Sequence, residues 1–269
     1  MSNSRRALPS YSIGAPSAQA SQPNRRASSS DNEPPTSGLA RARFGPVVAA
    51  LAFMVLAVVG RTETQLRVNV WLTTHLQLAV FQRVLGPLSE VVVLGAPVVG
   101  TAIIVVYAIV LWRRGAGTLA LLPAVLFGVG LLLEVVMKLG LGHPAVWRSL
   151  YHPAVWYPFP GFGGSLPFTS PFPSGHALRA TYLALVGAEL VIQSLPRRAW
   201  PVFIGALELG AWLLALASGL SVVYLGWHWP ADAVGGITLG YILAWVTSLA
   251  LARRRAPRSR FGERLVTSP

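Results

Sequence analysis

Six apolar runs dominate the chain beyond residue 44, at about 45–60, 91–112, 117–138, 175–195, 201–225 and 233–252. Each is roughly the length at which a helix crosses the ~30 Å hydrocarbon layer of a bilayer, the first being the shortest. Six such stretches buried in a soluble core would leave too little polar surface for the chain, so the pattern predicts an all-α polytopic membrane protein with six transmembrane helices in a bundle. Residues 1–44 carry Ser, Pro, Ala and Arg without apolar periodicity and are expected to be a disordered cytoplasmic tail. Residues 45–252 then form the membrane domain and 253–269 a basic cytoplasmic tail. No small-residue cleavage site follows a short apolar core, so the first span is expected to be retained. Residues 61–85 mix charges with Leu, Val and Trp at helical spacing, which predicts an amphipathic segment along the outer interface.

Composition agrees with this pattern and adds a question about charge. The 269 residues are 53% hydrophobic and 12% charged, with mean hydropathy +0.55, net charge +13 and no cysteine. Those values exclude a disordered chain, a disulfide scaffold and a Cys-ligated zinc module. A nucleic-acid binder would explain the basicity, but so would arginine-rich cytoplasmic edges. With both termini inside, sixteen of the 22 basic residues fall on the inner side, among them Arg113, Arg114, Arg197 and Arg198 between spans. The charge is therefore assigned to orientation in a cell membrane, and nucleic acid is excluded as a partner.

Few ionisable residues remain at the edge of the spans, where each requires a partner or a purpose. Glu134 and Lys138, four apart on one helix face, either form a structural ion pair or present the lysine ammonium to an anion. Pro173-Ser174-Gly175-His176 lies where the long outer loop of about 139–174 meets the fourth span. Ser174 suits an N-cap and Gly175 a close backbone approach, so free amides there would cradle a phosphate beside His176. In Gly226-Trp227-His228-Trp229-Pro230-Ala231-Asp232 the proline suits a first helical turn and the Asp232 carboxylate is placed to accept the His228 imidazole N–H. Lys138, His176, His228 and Asp232 all come to the outer edge on this topology. The loop aromatics Trp147, Trp156, Tyr157 and Phe159 suit a headgroup-level belt, a functional loop, or both. Glu189 and Glu208 are expected to face the bundle interior, and Gly236 with Gly240 to form a close helix contact.

The strings PSGH at 173–176 and SVVYLGWHWPAD at 221–232 resemble the second and third signature motifs of the type 2 phosphatidic acid phosphatase superfamily, which also includes vanadium haloperoxidases. Lys138 stands where the first-motif lysine belongs, and the resemblance covers roughly residues 45–252. It implies that His228 attacks phosphorus to give a phosphohistidine, Asp232 orients it and His176 protonates the leaving alkoxide. Lys138, Ser174 and Gly175 would bind phosphate oxygens on a membrane lipid substrate such as a polyprenyl phosphate, polyprenyl diphosphate or phosphatidate. The resemblance implies no metal and no other cofactor.

Three arginines of the family pattern are replaced. The two that follow the lysine by five and seven residues are His143 and Ala145 here, and the third-motif arginine is Val222. Guanidinium is not replaced by imidazole or an aliphatic group without consequence. Three explanations stand: Arg148 or Arg179 substitutes, with His143 as a further phosphate contact; or the substrate is a less charged phosphodiester, as in a lipid-linked transferase resembling the sphingolipid phosphotransferases; or the protein binds lipid without turnover.

Overall fold

The computed structural model describes residues 38–41, 44–151, 170–195 and 201–255, and everything below refers to these. Their regular structure is all helical, without a strand among the described residues. The helices are α1 (Gly38–Arg41), α2 (Gly45–Val59), α3 (Glu63–Leu76), α4 (Ala79–Leu88), α5 (Pro97–Arg113), α6 (Leu122–Gly140), α7 (Gly175–Ser194), α8 (Pro201–Tyr224) and α9 (Pro230–Arg255). Tighter 3-10 turns cover Ser89–Gly95, Gly117–Leu121 and Arg148–Leu150. Most of the expected amino-terminal tail and of the carboxy-terminal one lies outside the described residues, as do Trp156, Tyr157 and Phe159. Gly38–Arg41 is helical where a tail was expected, because the Gly38 N–H reaches the Glu208 carboxylate at 2.6 Å and Leu39 packs on the core. At the other end α9 runs to Arg255, three residues past the expected boundary.

Helix α7 is the axis of the bundle, packed by α5, α6, α8 and α9. Its length of 20 residues suits a span, and 14 of its residues are buried. Close approach of α9 depends on the two glycines: a Cβ at Gly236 would lie 2.3 Å from the Ser174 carbonyl oxygen, and one at Gly240 2.5 Å from that of Leu178. This is the small-residue contact expected from the sequence, on a partner that the sequence did not name. Two polar side chains of α7 find partners on protein groups, while the buried Thr181 hydroxyl has no hydrogen-bond partner among the described residues. Tyr182 donates to the Pro123 carbonyl at 2.9 Å, and Glu189 accepts from Gln193 at 2.6 Å.

Three segments are long and apolar enough to cross a membrane: Gly117–Gly140, Pro201–Tyr224 and Pro230–Arg253. Two bent pairs qualify together, Gly45–Val59 with Glu63–Leu76 (106°) and Gln82–Gly95 with Pro97–Arg113 (62°), which gives between three and five candidate spans. The expected fourth span, α7, is not among them. Its site end carries His176 and Arg179, and its far half Glu189 and Gln193; burial by neighbouring helices removes the need for an apolar surface. The expected second span is broken at Pro97, which lacks an N–H and suits a first helical turn.

Residues 61–85 do more than coat a surface. Along α3 and just past it, Gln65, Asn69, Thr73 and Gln77 recur every four residues, a polar stripe on one helix face. Asn69 accepts from the Ala231 N–H at 3.3 Å, while the Gln77 amide donates to the carbonyls of Leu150 (2.8 Å) and Tyr224 (2.9 Å). The stripe thus ties down both the Arg148–Leu150 turn and the α8–α9 connection.

Candidate active site

The two motif strings meet at the start of α7. The Ser174 N–H donates to the Asp232 carbonyl at 2.9 Å, so the amino ends of α7 and α9 are joined through the main chain. Ser174 is fully buried, has extended backbone, and accepts the Ala177 N–H at 3.4 Å as the expected N-cap. His176 follows on the first turn, half-buried, with its ring centroid 5.6 Å from that of Trp227. Lys138, Arg179 and His228 all lie close enough to act on its charge.

The α8–α9 connection is a tight turn built around glycine. Gly226 has φ of +69°, a left-handed conformation, and a Cβ there would stand 2.2 Å from the Leu150 carbonyl oxygen. The N–H groups of Trp227 and His228 both return to the Val222 carbonyl, at 3.0 and 3.2 Å. Trp229, 1% exposed, anchors the turn by donating from its indole to the Pro144 carbonyl at 2.9 Å. Asp232 then reaches back one turn and accepts the Trp229 N–H on Oδ2 at 2.8 Å, which caps α9 and fixes the carboxylate beside His228. His228 Nδ1 stands 3.8 Å from Oδ2, longer than a hydrogen bond, and neither Nδ1 nor Asp232 Oδ1 has a hydrogen-bond partner. The pair expected from sequence is brought together without being closed.

His143 is the second imidazole at this carboxylate. It is 3% exposed, with Nε2 on the Ala57 carbonyl at 3.0 Å and its ring against Phe172 at 4.6 Å. A Cβ on Gly60 would meet its Cε1 at 2.1 Å, so the end of α2 closes over the ring. A carbonyl can only accept, so Nε2 carries the hydrogen and Nδ1 points toward Asp232 Oδ1, 3.9 Å away. Expected as a phosphate contact, His143 is sealed behind Asp232, because the bend after Val59 brings α2 onto it.

Near His176 lies a compact charge cluster. Glu134 Oε1 accepts from Lys138 Nζ at 2.7 Å, and Oε2 from Arg179 Nη1 at 2.5 Å. Arg179 Nε donates to the Gly95 carbonyl, also at 2.5 Å, in the 3-10 stretch before the Pro97 break. Gly95 is needed there, since a Cβ would lie 2.4 Å from the His176 carbonyl oxygen. The carboxylate itself lies against Gly175, whose absent Cβ would be 2.0 Å from Oε1. Of the two arginines expected as substitutes, Arg179 reaches the cluster but has Nε and Nη1 committed to protein acceptors. Arg148 is exposed on its short turn.

Sequence reasoning identified the Glu134 and Lys138 pair but missed Arg179 as its third member, and missed Gly95, Asn69 and Gln77 as supports. The four-residue polar stripe was the available signal for Asn69 and Gln77. Nothing local marks Gly95, whose role depends on a helix 80 residues further along.

No curated protein sequence matches the chain significantly. Among solved structures it is similar to a transmembrane PAP2-type phosphatidylglycerolphosphate phosphatase from Bacillus subtilis, with 23% identity and a TM-score of 0.61 over 81% of this chain and 100% of that one. That likeness establishes a shared fold. The model of the PAP2 superfamily matches residues 117–256, which hold α6 to α9 and every charged or imidazole group of the cluster. Since that match takes in more than half of the chain, the protein belongs to the PAP2 superfamily.

Proposed function

We propose that the protein is an integral membrane phosphohydrolase that cleaves a phosphate ester of a lipid through a phosphohistidine. The observation that carries the reading is the main-chain bond from Ser174 to Asp232, which holds the His176 and His228 strings at one site. With Nδ1 of His228 turned to Asp232, Nε2 is the atom left to attack phosphorus. As the Nε2–P bond forms, the P–O bond to the lipid breaks and His176 gives its proton to the departing alkoxide. Water then attacks the phosphohistidine, His176 takes its proton, and phosphate leaves. Lys138 with the backbone N–H of Gly175 stabilises the phosphoryl oxygens, the Ser174 N–H being already engaged by the Asp232 carbonyl. Asp232 orients His228, and His143 supports Asp232 from behind. Six crossings with both termini inside would put this end of α7 on the extracytoplasmic face, α7 crossing at the centre of the bundle under cover of its neighbours.

Purified protein in detergent is expected to release phosphate from a polyprenyl phosphate, a polyprenyl diphosphate or a phosphatidate without added metal. His228→Ala should abolish release, and acid-labile phosphate should be trapped on the wild type alone. Equal inertness of wild type and variant over all three lipids would remove the hydrolase reading. Because the chain has no cysteine, single cysteines at Gly142 and Gly115 report sidedness against a blank background, and labelling from outside at Gly115 would overturn the topology.

The committed state of Arg179 and the exposed position of Arg148 favour one second reading, a lipid-linked transferase acting on a less charged phosphodiester. Transfer to an added alcohol acceptor without free phosphate would select it.

A further inference from the structure

We infer that Glu134 sets the charge of the phosphate subsite and thereby selects lipids whose headgroup ends in one phosphoryl group over those that carry a diphosphate. The inference rests on the phosphatase reading above and concerns the same site. Glu134 has the sign of the substrate, yet its carboxylate is in contact with the Gly175 backbone at the amino end of α7. It is also bound to both cations of the cluster, Lys138 and Arg179. Two positive charges and one negative leave a formal net of one.

The geometry makes this a deliberate use of an acid rather than a loose surface pair. Side-chain exposure is 12% for Lys138, 10% for Glu134 and 4% for Arg179, so water screens the three poorly. Both carboxylate oxygens are occupied, one by each cation, and Arg179 is further tied to Gly95. An incoming phosphoryl group therefore competes with Glu134 for the same donors. A single phosphoryl group needs little more positive charge than the cluster has left. A diphosphate brings more negative charge against the same carboxylate and meets no further buried cation among the described residues.

The test is a four-protein series of the full chain in detergent: wild type, Glu134→Gln, Arg179→Gln and the double variant. Their formal cluster charges are one, two, zero and one. Inorganic phosphate and pyrophosphate serve as probes, as competitive inhibitors of lipid phosphate release and by direct calorimetric titration. The preference for pyrophosphate over phosphate should rise about tenfold in Glu134→Gln, fall severalfold in Arg179→Gln and return close to wild type in the double variant. An unchanged preference across the series would overturn the inference. So would equal weakening of both anions in Glu134→Gln, which would make Glu134 a device for aiming Lys138 and Arg179. Should Glu134→Gln fail to fold, Arg179→Gln and the charge-balanced double variant still decide the matter. Absence of hydrolysis by wild type would defeat the phosphatase reading, whereas the titrations would still report on the subsite.

Discussion

Two carboxylates are buried at the site, and the fold treats them in opposite ways. Glu134 is fully engaged, each oxygen held by a cation at 2.7 or 2.5 Å. Asp232, 1% exposed, has Oδ2 on the Trp229 N–H and Oδ1 without a hydrogen bond, while imidazoles stand at 3.8 and 3.9 Å on its two sides. The difference separates a static charge from a responsive one. The Glu134 carboxylate is already compensated and has little to gain from movement. Around Asp232, an imidazolium formed on either neighbour would find a carboxylate oxygen within a sub-ångström shift, so proton movement there is coupled to small displacements.

The sharpest way to break this contrast is to remove the charge of Asp232 and leave its shape. Asp232→Asn keeps an oxygen for the Trp229 N–H, so the fold should persist, while kcat should fall by about 10⁴ as His228 loses its orienting carboxylate. A loss smaller than tenfold in steady-state kinetics would show that Asp232 matters only as a helix cap. The opposite carboxylate predicts the opposite phenotype. Glu134→Ala leaves Arg179 buried without its carboxylate, and thermal or denaturant unfolding should show a loss of about 3–5 kcal/mol. Retention of wild-type stability would mean that water reaches the cluster freely.

How far the sequence carried these assignments differs between the two regions for a physical reason. His228 and Asp232 sit within one turn of a helix start, so spacing alone placed them together, and the Pro230 signal located that start. Glu134 and Lys138 were likewise legible as a pair four residues apart. Arg179 and Gly95 were not, because their contact depends on how α7 packs on the 3-10 segment Ser89–Gly95, and sequence periodicity has no information on which helices touch. The same holds for spans. Hydropathy recognises helices with exposed apolar faces, such as Pro201–Tyr224, but the central α7 is covered by protein and carries polar side chains that lower its score.

His143 provides a gentler test of the responsive side. His143→Phe fills the space under Gly60 but supplies no nitrogen to Asp232, and kcat should fall about tenfold with KM unchanged. A rise in KM at constant kcat would return His143 to the substrate-binding role expected from its place after Lys138. The smallest effect belongs to Arg148, exposed on its turn: Arg148→Ala should alter KM by no more than about twofold, as expected for a screened surface charge. A larger change would bring this arginine into the phosphate site after all.

The bond from the Ser174 N–H to the Asp232 carbonyl uses no side-chain atom. Any residue other than proline at position 174 can form it, and any residue at position 232 can accept it. The relative register of the two helix starts is therefore insulated from mutation, so side chains around His176 and His228 are free to change while the spacing between the two imidazoles is kept. A site anchored in this way can exchange guanidinium for imidazole or valine without first having to find a new scaffold.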